Sequence, residues 1–556
     1  MTTTAERPAP ADAPLPPEAP STRIALLRRL LGRPRTARER LWAWLGPAIV
    51  TIVGGVLRLW DLGRPHQLIF DETYYVKQGW STVLNGYEVK RPESVPEKSV
   101  DGLFTNDGAA TVYGTEPDLV VHPPVGKWVI GWGEQLFGID DSFGWRFGVA
   151  IAGTLLIYLV GRAAWHLFRS AFLATIASVL IAVEGMAFVH SRVSILDGIL
   201  TFWVVAGFVA LLADRDAARR RLATLVAAQR DAGEFTGKAR LGGPWLGIRP
   251  WRFVAGVCLG LACGTKWSGG FFLAAFGLLS VFWDLGARRA VGVTRYVSAT
   301  FIKDAIPGAV IIVGSAAATY LASWWGWLRS SGGYGRDWAD KHPAVKDTGI
   351  APDSSLFGWV PDSLRSLWNY HLEMFDSASS ITSPHAYESN PWSWMIQARP
   401  VLYFAEYPKE GEPGCTSTEC AKIITSLGNV SIWWVATAAL AVLLFMWALR
   451  RDWRAGAILA GLLAGWLPWF MYQERTIFTF YAVVMAPFAV LAVTYVCGLV
   501  LGSPAASAAR LRVGRTVVVS YVVLAVAFFV FWWPIYTAQI VPRGFWQLHN
   551  WFPSWI

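Results

Sequence analysis

Charge is scarce in this 556-residue chain. Only 16% of its residues are charged, while 54% are hydrophobic. An ordinary soluble domain carries about a quarter charged residues. This chain has too little polar surface to cover itself in water, and lipid is the natural solvent for the excess. A glycine-rich phosphate loop is absent, so any energy-rich donor must arrive already activated. No internal repeat is visible, which weighs against a transporter built from symmetric halves. Cysteine is rare, with five residues. Cys258, Cys263 and Cys497 lie in apolar runs and read as core. Cys415 and Cys420 form the only pair in a polar loop. Two free thiols or a metal pair are the alternatives, but two sulfurs without a nearby His make a poor zinc site. A disulfide is the expectation. Residues 1–21 hold six Pro and no apolar core, so they read as a disordered tail rather than a signal peptide.

Long apolar runs are abundant. A spanning helix needs roughly 20 apolar residues. Eleven candidates appear, at 43–60, 143–167, 171–190, 193–213, 252–264, 267–285, 305–325, 429–449, 455–471, 477–500 and 517–539. Gly264-Thr265-Lys266-Trp267 breaks one long run into two. The 32 Trp suit membrane interfaces, where an apolar ring and a polar N–H both find partners. The net charge of +10 sits in short clusters between apolar runs rather than on one stripe. That is the pattern of cytoplasmic loops and argues against a nucleic-acid partner.

Orientation follows from those clusters. Residues 22–42 hold seven Arg against one Glu, which places the N-terminus in the cytoplasm. Alternation then puts Arg219–Arg221, Arg288-Arg289, Arg450-Arg451 and Arg510/Arg512/Arg515 inside as well. The polar loops 61–142 and 326–428, each with more acids than bases, fall outside with the C-terminus. The expected layout is a disordered basic cytoplasmic tail over 1–42 and an N-terminal bundle over 43–325 carrying outer loop 61–142. A second outer loop spans 326–428, and C-terminal helices with an interfacial tail span 429–556. The fold class is an all-α polytopic membrane protein in the cell membrane.

The chemistry gathers in the outer segments. Phe70-Asp71-Glu72-Thr73-Tyr74-Tyr75 places two carboxylates at the outer surface among aromatics. Helix neighbours point about 100° apart, so both cannot address one atom. One can serve as general base while the other orients or binds. Tyr74 and Tyr75 share the Asp71 face. An N-capping Asp with a first-turn Glu would explain the same pair without chemistry. His122-Pro123-Pro124-Val125-Gly126-Lys127 can meet an anionic head group or simply form a turn. Arg146 stands at the mouth of the second span, where a cation needs a partner or a task. His190-Ser191-Arg192 through Asp197 form a short outer turn in which Arg192 and Asp197 can pair. Lys266 and Arg475 are positive charges outside, against the general bias, and either phosphate or lipid head groups would account for them. His371, His385 and Trp392 lie in aromatic stretches that suit a sugar or peptide platform, or an amphipathic helix on the membrane.

Together these motifs resemble the protein O-mannosyltransferase family over nearly the whole chain after residue 40. The resemblance rests on Phe70-Asp71-Glu72, His122–Lys127, Ser191-Arg192 through Leu196-Asp197, Gly264–Gly269, and His385 with Pro391-Trp392, in that order and in those loops. It implies a C-type glycosyltransferase bundle of about 11 helices with its site at the non-cytoplasmic face. It implies transfer of mannose from polyprenyl-phosphate-mannose to Ser or Thr of exported proteins, with inversion at the anomeric carbon and with secretion machinery as a candidate partner. Asp71 and Glu72 map onto the family's catalytic pair, and its essential Arg maps onto Arg146. Asp71 is the expected base, with Glu72 its supporting partner. Arg146, Lys266, Arg475, His122, Lys127, Arg192 and Asp197 are candidates for holding the donor. Tyr74, Tyr75, His371, His385 and Trp392 are candidates for sugar or acceptor contact. A divalent metal can bridge phosphate and carboxylate, but no ligand cluster demands one. The second loop lacks the strand-rich insert of eukaryotic members, which points to the bacterial branch. The alternatives are a related transferase acting on a glycan or lipid, and a lipid-linked sugar transporter.

Overall fold

The computed structural model describes residues 21–93, 95–105, 114–342, 360–503 and 505–556. Among these, nine helices are long and apolar enough to cross a membrane. They are Ala37–Leu59, Ser142–Phe168, Leu196–Asp231, Gly269–Ala290, Tyr296–Ser323, Val430–Ala448, Trp453–Met471, Thr479–Leu501 and Ala508–Tyr536. The remaining two candidate spans form shorter helices, Ala171–Ala182 and Pro250–Thr265. Every apolar run is therefore helical, but two of the eleven fall short of a full crossing by length.

Side chains fix where these helices begin. Thr36 and Glu39 close a reciprocal capping box. Asp141, Ser170, Asn429, Asp452 and Ser507 each accept a backbone N–H of the first turn. The break at 264–267 is real. One helix ends at Thr265, Lys266 is extended at φ −148°, and the next helix starts at Gly269.

Two polar segments and the C-terminal tail meet at one end of the bundle. In the first segment, helices Glu72–Asn85 and Val125–Phe137 pack backbone to backbone. A Cβ on Gly131 would lie 2.3 Å from the Gly79 carbonyl oxygen. The second segment contributes helix Asp362–Ser379 and strands β1 (Val401–Glu406) and β2 (Cys420–Ser426). After the last long helix the chain returns as β3 (Ile540–Pro542), giving an antiparallel sheet in the order β1-β2-β3. Among the described residues this small sheet and two isolated β-bridges depart from an all-helical reading. Its strands are three to seven residues long, and two of them pair across more than a hundred residues of chain, so local pattern does not announce them. Cys415 and Cys420 are disulfide-bonded at the hairpin between β1 and β2.

The opposite end is basic and ionically tied. Arg249 bridges Asp214 and Asp284, Arg252 joins Asp284, and Arg288 grips Asp304 with bonds of 2.5 and 3.1 Å. Thr22–Leu31 is a helix whose Leu26 and Leu30 pack against Leu222, Ala223 and Val226. The expectation of disorder across 1–42 therefore fails from Thr22 onward, because an apolar stripe finds a partner. Residues 1–20 of that tail lie outside the described residues.

Candidate active site

Asp71 occupies the start of helix Glu72–Asn85, yet its carboxylate makes no capping hydrogen bond. The structural explanation for that Asp therefore does not hold. Its placement depends on Phe70, which sits at φ 50°, a left-handed conformation unusual for a bulky residue. The Phe70 ring stacks on Tyr403 at 4.2 Å and meets the edge of Phe480 at 5.3 Å. Those contacts hold the turn that aims Asp71.

Around Asp71 the structure gathers residues from five separate segments. Lys266 donates to both oxygens of Asp197, at 3.0 and 2.9 Å, and its ammonium lies 4.9 Å from the centre of the Tyr481 ring. Burial pushes the half-buried Asp71 carboxyl up to about 6, with Asp197 adding to the shift and Lys266 opposing it. Burial, then Lys266, Lys127 and Arg475, pull His122 well below the usual imidazole range and keep it neutral. Tyr75, buried beside His122 with ring centres 6.1 Å apart, feels Asp71, Asp197 and Arg475 in turn. Arg475 is half-buried and forms no ion pair among the described residues, and its Nε is buried without a partner. Asp71 and Tyr75 from one helix start, with His122, Asp197, Lys266 and Arg475 from four other segments, thus share one polar neighbourhood.

Glu72 points the other way and is fully buried. Arg146 donates to it twice, from Nε at 2.8 Å and from Nη2 at 2.7 Å. The backbone N–H groups of Ile69 and Ser194 complete its shell at 3.1 and 2.8 Å. Arg146 spends its remaining donors on the carbonyls of Leu62, Pro65 and Gln67. The expectation that Arg146 holds the donor phosphate is corrected here. Its guanidinium is fully buried and fully engaged, so no donor group is left for a ligand. Glu72 and Arg146 instead lock the 62–72 loop, the helix from Ser142 and the 191–195 turn into one unit.

Other candidates take structural posts. Arg192 donates to the carbonyls of Leu57, Arg58, Trp60 and Asp61, clamping the end of the first long helix, and does not pair with Asp197. Lys127 is buried on Glu88 and on the His122 carbonyl, each at 2.7 Å. His371 bonds Tyr320 and the Leu367 carbonyl and stacks on Trp267, next to Lys266. Tyr74 is 61% exposed and faces away from Tyr75, lining a cleft with Lys77 and Asp118. His385 lies on the surface against Phe478, and Trp392 is 71% exposed beside Phe470. Among the described residues, no three His, Cys, Asp or Glu side chains come together as metal ligands.

Reading the sequence missed Tyr403 and Tyr481 and left His190 unassigned. Tyr403 bonds His190 Nε2 at 3.0 Å beneath Phe70. Tyr481 follows Arg475 by six residues in an aromatic run, and that proximity to an outer cation is the signal that could have found it. Tyr403 carries no local signal, because strand β1 brings it in from far along the chain.

Comparison with known proteins gives the family and the fold. Residues 48–228 match the family model for dolichyl-phosphate-mannose-protein mannosyltransferase. Residues 363–555 match that for the C-terminal four-helix region of protein-O-mannosyltransferase. A Mycobacterium tuberculosis polyprenol-phosphate-mannose–protein mannosyltransferase is 37% identical, covering 93% of this chain and 92% of its own. The Corynebacterium glutamicum protein of the same name is 33% identical over 91% of each chain. Among solved structures, the Saccharomyces cerevisiae Pmt1-Pmt2 protein O-mannosyltransferase complex bound to the sugar donor aligns over 97% of this chain and 94% of that one. Its TM-score is 0.68 at 15% identity, a likeness of fold.

Proposed function

The chain belongs to the polyprenol-phosphate-mannose–protein mannosyltransferase family, and on that premise we propose a mechanism in which Asp71 is the general base. The enzyme moves mannose from a polyprenyl-phosphate-mannose donor to a Ser or Thr hydroxyl of a protein. A hydroxyl is a weak nucleophile and needs a base aimed at its proton. Asp71 takes that proton while the hydroxyl oxygen attacks the anomeric carbon. The carbon–oxygen bond to phosphate breaks on the opposite face, so configuration inverts and polyprenyl phosphate leaves. The leaving phosphate gains negative charge and needs cations more than acid. Lys266, held by Asp197, acts on Asp71 itself, and Arg475, with no carboxylate partner among the described residues, acts on the neighbouring Tyr75 and His122.

The observation that carries this reading is a carboxylate at a helix start that does not cap and whose affinity for protons is raised by burial. A base that titrates near the working pH transfers protons efficiently in both directions. Glu72 positions Asp71 through Arg146 and does not touch the reacting atoms.

The reaction sits at the extracytoplasmic face of the plasma membrane, with the N-terminus in the cytoplasm. Arginine clustering at the far end of the bundle and acidic excess in the loops around Asp71 support that orientation. The test is purified protein incubated with polyprenyl-phosphate-mannose and a Ser/Thr peptide, followed by peptide mass. One added hexose per modified hydroxyl is expected, and it should be lost in Asp71→Asn. Full transfer by a folded Asp71→Asn protein would remove Asp71 from the mechanism.

A further inference from the structure

At the end of the bundle away from Asp71 lies a cavity of about 780 Å³ lined by nine arginines and one acidic residue, Asp452. Arg146 opens and His166 closes the same long helix, so roughly 30 Å separates the two ends. Five of the nine arginines are accounted for. Arg169 and Arg215 pair with Asp216, Arg454 with Asp452, Arg35 with Glu39, and Arg219 with the carbonyls of Leu30 and Trp283. Arg28, Arg29, Arg33 and Arg450 have no carboxylate partner among the described residues. The Nε atoms of Arg35, Arg215 and Arg219 are buried and unbonded. Packing this much positive charge around one space is costly unless an anion fills it.

The shape of the surroundings says which kind of anion. A second cavity, of about 910 Å³, adjoins the first and shares Arg35, Phe168, Arg169 and Arg454 with it. Away from the shared arginines its wall is largely apolar, formed by Phe172 and Leu173 on the shorter helix Ala171–Ala182 and by Leu499, Leu501 and Leu511 on helices long enough to cross a membrane. A basic cradle continuous with an apolar groove at a membrane-helix end suits a molecule with a phosphate head and hydrocarbon chains.

We propose that this arginine-lined cavity binds the headgroup of an anionic phospholipid from the leaflet opposite Asp71, with an acyl chain in the adjoining groove. The bound lipid neutralises the cradle. It also fastens helix Thr22–Leu31, which supplies Arg28 and Arg29, to the turns at 168–170 and 449–452.

The test uses the full-length protein in detergent, read by native mass spectrometry and by thermal unfolding. Phosphatidylglycerol, phosphatidylcholine, undecaprenyl phosphate and inorganic phosphate are the separate probes. Phosphatidylglycerol should be retained and should raise the unfolding temperature, while phosphatidylcholine and inorganic phosphate should do neither. Combining Arg28→Gln, Arg29→Gln, Arg33→Gln and Arg450→Gln should weaken retention at least about a hundredfold, at on the order of fivefold per arginine. These side chains are exposed and have no carboxylate partner among the described residues, so the variant should stay monodisperse. The single change Arg450→Glu is a milder second variant and should weaken retention by at least the same fivefold. Equal retention of phosphatidylcholine, stabilisation by inorganic phosphate alone, preference for undecaprenyl phosphate, or undiminished binding in a folded variant would each overturn the assignment.

Discussion

The adjacent carboxylates should fail in opposite ways. Glu72 is fully buried and accepts four hydrogen bonds, two of them from an equally buried Arg146. In Glu72→Gln the shape survives but the guanidinium loses its counter-charge. The new amide also turns two of its hydrogens toward groups that themselves donate. Breaking a buried pair on one side costs about 3–5 kcal/mol. Asp71 is different. Its carboxylate caps nothing, and its proton affinity is raised, so stability falls as pH rises from the ordinary carboxylate range to about 6 and the full loss is present above that. Asp71→Asn should therefore unfold at the wild-type temperature or higher at neutral pH, while losing about 10²–10⁴-fold in transfer rate. Glu72→Gln should unfold several degrees earlier, and its remaining folded fraction should keep measurable transfer. Thermal unfolding and transfer to a Ser/Thr peptide, measured on the same detergent preparations, separate the two. A Glu72→Gln protein with wild-type stability and no transfer would refute the division, as would a destabilised Asp71→Asn.

Three further outcomes follow from the same neighbourhood, and a fourth concerns topology. The acid limb of the kcat/KM profile should have its midpoint near pH 6, because Asp71 must be ionised to accept a proton. Lys266→Gln should move that midpoint up and Asp197→Asn should move it down, since Lys266 favours the ionised form and Asp197 opposes it. Arg475→Gln should raise KM for the lipid donor about tenfold or more with little change in unfolding temperature, because the residue breaks no ion pair on removal. An impermeant thiol reagent should label Ser380→Cys in intact cells and Glu234→Cys only after permeabilisation. The reverse pattern would invert the topology.

Most of the architecture was legible because lipid imposes it. Each apolar run had to satisfy its backbone internally, and each became a helix. Lys266 at a helix break and Arg475 at an outer turn stood out as charges in costly places, and both act on His122 in the neighbourhood of Asp71. Arg146 stood out for the same reason, yet its cost is met by Glu72. A buried cation announces that it has a partner without saying which one. Arg192 shows the same ambiguity, since carbonyl oxygens carry no signature in the side-chain sequence. Tyr403 and the sheet that delivers it were invisible, because they depend on pairings between β1, β2 and a strand at the end of the chain.

That two neighbouring carboxylates do unlike work follows from helix geometry. A turn of about 100° between them sends one toward the bundle and leaves the other at the rim. The inward one, Glu72, can be buried only with Arg146 and two backbone donors around it, and those partners come from three segments of chain. Satisfying Glu72 therefore assembles the platform on which Asp71 stands. The left-handed turn at Phe70 belongs to the same device. Such a conformation costs on the order of 1–2 kcal/mol, and it persists because Tyr403 and Phe480 hold the ring on two sides. The strained residue and the buried ion pair flank Asp71 immediately. Its direction is set by rigid contacts on either side rather than by its own hydrogen bonds, which leaves the carboxylate free to accept a proton from the substrate.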